Sequence, residues 1–76
     1  MNNTRRKQLK AILAQLEDLR AELENIKDEE ADYLESIPEN LQSSERYEKA
    51  EAAVENLEDA CSNLDDVLEQ IETAME

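Results

Sequence analysis

Eight bases stand among 21 acids in this chain, and six of them fall in two clusters: Arg5, Arg6, Lys7 and Lys10 near the start, and Arg46 and Lys49 around Tyr47. Arg presents a planar fork that matches phosphate bidentately, and Tyr47 or Tyr33 offers a face on which a base can stack. Ser43 and Ser44 precede an apolar repeat, where the free N–H groups of a starting helix form a natural anion site. Asn40 and Gln42 add side chains able to read polar edges. Arg46, Tyr47, Ser43, Ser44 and Asn40, joined by Arg5, Arg6 and Lys7 if the clusters meet across subunits, are therefore the candidate site for a small nucleotide-like ligand. A plainer reading stands beside it, in which Tyr47 is a packing residue and Arg46 pairs with a neighbouring Glu.

Other chemistries lack their residues. The chain has no His, the commonest general base, and no Gly for a phosphate-cradling loop, so it is expected not to be an enzyme and to need no cofactor. The single Cys61 leaves no internal disulfide and no Cys-only zinc site; beside Glu58, Asp59 and Asp65 its thiolate is disfavoured, and it reads as a small apolar residue. Asp28-Glu29-Glu30 and Asp65-Asp66 are consecutive, so their side chains diverge around a helix and do not suggest a metal site. A net charge of −13 argues against extended nucleic acid, whose backbone needs neutralising bases. It favours instead a small anion at a local basic spot, or a basic protein partner.

Positioning these residues falls to two helices. Leu9, Ile12, Leu16, Leu19, Leu23, Ile26, Glu30, Tyr33 and Ile37 alternate steps of three and four, as the seam of a coiled coil does. Tyr47, Ala50, Val54, Leu57, Cys61, Leu64, Leu68, Ile71 and Met75 repeat the pattern without a slip. Only Glu30 interrupts the stripes, either reaching out to solvent or fixing register. The lone Pro38, with Asn40 and the paired serines, places a reversal between them. The sequence thus predicts an all-α chain of one domain: helix one over 4–35, a turn over 36–43, and helix two over 44–75, capped by Ser43 or Ser44.

A short link makes the helices antiparallel neighbours in a coiled-coil hairpin. Residues 1–10 carry four bases and no acid, whereas residues 50–76 carry nine acids and no base, so folding brings Arg5, Arg6, Lys7 and Lys10 beside Glu69, Glu72 and Glu76. Further apolar positions flank the seams: Leu13 and Leu34 on helix one, and Ala53, Ala60, Val67 and Ala74 on helix two. A chain this small builds a marginal core alone. Dimerisation into a four-helix bundle would bury the flanks. No apolar run is long enough to cross a membrane, and the basic start lacks the apolar stretch of a signal peptide, so a cytoplasmic protein is expected.

Arg5-Arg6-Lys7 followed by the Leu repeats, and then Ile37-Pro38-Glu39-Asn40-Leu41-Gln42-Ser43-Ser44-Glu45-Arg46-Tyr47, resembles the layout of short acidic helical-hairpin proteins carried by phages and mobile elements of gut bacteria. In outline the chain is also similar to the repressor-of-primer type of paired hairpins. The phage likeness implies a protein of the host cytoplasm with an anti-defence role, sequestering a small nucleotide-derived immune signal as a homo-oligomer. Two other functions fit the same residues. One is an acidic interaction module or DNA mimic that covers a basic host defence protein, and the other is a structural adaptor.

Overall fold

The structure, a computed structural model, describes residues 1–76. Helix α1 spans Asn3–Glu35 and helix α2 spans Glu45–Ala74, with a single 3₁₀ turn at Glu39–Leu41 between them. The helices pack antiparallel as a hairpin 59 Å long and 15 Å by 13 Å across. Uninterrupted helices of this length follow from the absence of Gly and the confinement of the only Pro to position 38.

Both helix starts are capped by side chains. Asn2 Oδ1 accepts the Arg5 N–H at 2.8 Å, and Ser44 Oγ accepts the Tyr47 N–H at 3.2 Å, each satisfying a donor that the first turn leaves free. Of the two serines, it is Ser44 that caps, with Glu45 and Glu48 in the first turn at the positive end of the helix dipole. At the end of α1, Ser36 Oγ donates to the Tyr33 carbonyl at 2.6 Å, and Pro38 sits in extended backbone that cannot continue the helix. No helix is long and apolar enough to cross a membrane.

All nine seam positions read from the second repeat face α1: Ala50, Val54 and Cys61 are buried, and the other six are half-buried. Helix α1 departs from the expectation. Leu9, Leu16, Leu23, Glu30 and Ile37 do lie in the seam, but the alternating positions are Leu13, Arg20, Lys27 and Leu34, one residue along from those expected. Ile12, Leu19, Ile26 and Tyr33 are left 45%, 56%, 54% and 41% exposed.

The reason is electrostatic as well as apolar. Turning α1 this way lays the methylene stems of Arg20 and Lys27 over the seam while their charged heads reach out. Arg20 then grips Asp65 of α2 with two hydrogen bonds, Nε to Oδ1 at 2.6 Å and Nη2 to Oδ2 at 3.1 Å, and also holds Glu24 at 2.7 Å. Hydrogen bonding to Asp65, then to Glu24, raises the guanidinium still further above its already high range. Lys27 is likewise raised, chiefly by its contact with Asp28, with Glu24 and Glu58 contributing.

Candidate functional site

The hairpin tip holds two adjoining open cavities. One, of about 440 Å³, is lined by Glu30, Tyr33, Glu45, Arg46, Lys49 and Ala50. The other, of about 360 Å³, is lined by Tyr33, Ser36, Ile37, Pro38, Leu41, Ser44 and Arg46. Tyr33 and Arg46 belong to both. Volumes of this order match those of small-molecule sites.

Each lining group owes its place to a local feature. Tyr33 stands on the last turn of α1, on the face that the seam leaves uncovered. Arg46 stands on the first turn of α2, two residues after its cap, and makes no ion pair or side-chain hydrogen bond. Lys49 is engaged with Glu45 at 2.9 Å across one helical turn. Of the nearby carboxylates, Glu45 is held by Lys49 and Glu30 makes no ion pair. A guanidinium beside an aromatic face can take one compact anion, whereas the acids around it repel a long polyanion.

The sequence-derived residues are divided by the fold. Arg46 and Ser44 reach the cavities, with the Ser44 hydroxyl already occupied in capping. Tyr47 is half-buried in the seam and lines neither cavity; the aromatic ring there is that of Tyr33. Asn40 and Ser43 are exposed on the tip and line neither cavity. Arg5, Arg6 and Lys7 lie at the other end of the rod, about 50 Å away for a helix of this length.

At that open end, Arg6 Nε donates to the Met75 carbonyl oxygen at 2.9 Å and Nη1 to Asn3 Oδ1 at 3.2 Å. α2 has no base in its own last turn, so Arg6 supplies the positive charge that its terminal carbonyls favour. Arg5, Lys7 and Lys10 form no ion pair with Glu69, Glu72 or Glu76. Cys61 is a buried free thiol, level with Leu23 and Glu24 by the register of the Arg20 to Asp65 contact.

The spacing of the first stripe puts Tyr33 in the seam, whereas the structure leaves it exposed beside it. A stripe of apolar residues every seven, at 12, 19, 26 and 33, is ambiguous by itself. The signal that it faces outward lay in α2, where Glu51, Glu58, Asp65 and Glu72 recur every seven and call for Arg20 and Lys27 opposite. Compared with known protein families, curated proteins and solved structures, the chain gives no match.

Proposed function

We propose that the chain is a non-enzymatic, self-associating binding protein that sequesters a small anion bearing an aromatic base, of the nucleotide-derived signal class, at the hairpin tip. One observation carries this reading: Arg46 has no partner in the folded chain and stands between two cavities that share Tyr33. A bidentate phosphate contact and a stacked ring use those two side chains without requiring any group that makes or breaks a bond. In a phage or mobile-element setting, such a protein lowers the free concentration of a host immune signal in the cytoplasm.

Calorimetric titration with a panel of linear and cyclic nucleotides tests this. Binding is expected for one class, and Arg46→Ala is expected to weaken it about tenfold or more, since a charge-assisted contact contributes about 1.5 to 3 kcal/mol. Tyr33→Ala should weaken the same ligand, and Tyr47→Ala should act on folding instead. No heat from any member of the panel would remove the reading.

A second function is supported by a separate observation. Of the nine acids between residues 50 and 76, only Asp65 is paired, which leaves a dense negative surface along α2 free for a basic protein. Affinity for such a partner should fall steeply with salt and survive Arg46→Ala. Charge reversal at Glu51, Glu55 and Glu58 should abolish it; an unchanged affinity after that reversal excludes the acidic surface.

A further inference from the structure

The uncovered stripe of α1 has a counterpart on α2. Arg20 follows Leu16 by four residues and Leu19 by one, so Leu19 lies on the opposite flank of the seam from the Arg20 to Asp65 pair. On α2, Asp65 follows Cys61 by four while Ala60 and Val67 sit on the other flank. Ile12, Leu19, Ile26 and Tyr33 therefore share one side of the hairpin with Ala53, Ala60, Val67 and Ala74. Tyr33 and Arg46, seven residues before Ala53, already meet there at the tip. The opposite side carries the Arg20 to Asp65 pair, while the Lys49 to Glu45 pair lies at the tip beside Tyr33 and Arg46.

That apolar side also has an unusual margin. Beyond the small stripe of α2 run Asn56, Asn63 and Gln70, all uncharged, in a helix where acids occupy most outward positions. The hairpin's accessible surface is 5746 Å². A compact monomer of 8.7 kDa exposes about 4,700 Å² by the usual scaling with mass. The excess, about 1,000 Å², comes with the rod shape of 59 by 15 by 13 Å, and pairing two rods side by side can remove it, a standard interface burying roughly 800 Å² on each partner.

We infer that a second copy of this chain covers the face, laid with its open end against the first copy's tip, so that each tip site is completed by the other copy's α1. Charge sets this direction. At the open end, residues 1–10 carry four bases and no acid and residues 66–76 carry four acids and no base, whereas residues 28–55, around the tip, carry ten acids and two bases. Tip beside tip would juxtapose two strongly acidic ends, whereas tip beside open end sets the acidic tip against a nearly neutral end and lays the basic start of each α1 along the acidic end of the other copy's α1.

In the opposed arrangement a two-fold axis crosses the middle of the rod, and like helices face each other: α1 on α1 through Ile12, Leu19 and Ile26, and α2 on α2 through Ala60 and Val67. Small side chains and the uncharged margin permit close approach between the two acidic α2 helices. Arg5 continues the α1 stripe seven residues before Ile12, so Arg5 of the second copy reaches the level of Tyr33 and Ser36. It adds a second guanidinium beside Arg46. This deepens the reading of the tip as an anion site but rests only on its self-association.

Sedimentation equilibrium of the full chain without ligand is the first test. A dimer is expected, and Ile26→Glu should weaken association at least about a hundredfold because it leaves a carboxylate unpaired in the interface, with helix content by circular dichroism unchanged. A single protomer at all concentrations, or a variant that associates as tightly as the parent, overturns the inference. Direction is read separately, from spin labels at Asn40→Cys in a Cys61→Ala background. Labels about 50 Å apart, one rod length, support the opposed arrangement, and labels side by side overturn it. No nucleotide enters either measurement, so failure of ligand binding and failure of pairing are distinguishable.

Discussion

Leu13→Ala should lower the stability of the hairpin by about 2 to 3 kcal/mol, whereas the same truncation one residue earlier, Ile12→Ala, should leave the folding of a single hairpin nearly unchanged. Leu13 is 8% exposed and packs into the seam, while Ile12 is 45% exposed on the open face. Deleting three buried carbons removes their transfer free energy and leaves a gap that a two-helix seam closes only partly, which places the cost at the lower end of the usual range. The two changes act on different equilibria. Loss at Leu13 appears at every protein concentration, and loss at Ile12 appears only in the concentration-dependent part of the unfolding midpoint, because association adds stability by mass action. Urea denaturation of both variants at several concentrations measures this. Equal losses independent of concentration would put Ile12 in the seam and contradict the observed turn of α1.

The second large effect concerns the narrow end of the seam. Ala50 is the least exposed of the buried residues, at 3%, and lies at about the level of Leu34 by the register of the Arg20 to Asp65 contact. Ala50→Leu inserts three carbons between the helices, at the inner margin of the open cavity, and pushes the helices apart just beyond the tip. The expected cost is about 1 to 3 kcal/mol. For a chain of this size each kcal/mol corresponds to about 4 to 8 °C in melting temperature. Ala52→Leu, two residues on and exposed, serves as the comparison and should melt close to the parent. A thermal scan in which Ala50→Leu melts no lower than Ala52→Leu would show that the seam at this level is loose.

The hairpin itself was legible in the sequence because three independent signals agreed. These are the unbroken spacing of α2 from Tyr47 to Met75, the confinement of Pro38 to the interval between stripes, and Ser44 standing just ahead of Glu45 and Glu48. The facing of α1 was not legible from its apolar residues, since Leu13 and Ile12 are both large and apolar and either phase keeps Leu9, Leu16 and Leu23. Hydropathy alone favours Ile12, Leu19, Ile26 and Tyr33 over a row that contains Arg20 and Lys27. What decides it is the partner helix, whose acids every seven residues reward a base at the seam edge. The candidate site inherited this ambiguity. Arg46 and Ser44 were placed by their distance from the turn, which does not depend on α1. Tyr47 keeps the seam position that its repeat gives it, while Tyr33 leaves the seam for the cavities because α1 faces the other way.

The short link over residues 36–44 also bears on how the chain reaches its native state. Bringing Leu34 against Ala50 closes a small loop, whereas the contact from Arg6 to the Met75 carbonyl spans 69 positions of the chain. Because closure entropy rises with the length enclosed, pairing that begins at the bend and advances rung by rung meets no large entropic step, and each rung shortens the next closure. The molecule is therefore expected to fold as a zipper that starts at the bend. Opening runs in reverse, from the end where Arg6 holds Met75, so transient fraying concentrates there and amide exchange slows progressively toward the bend.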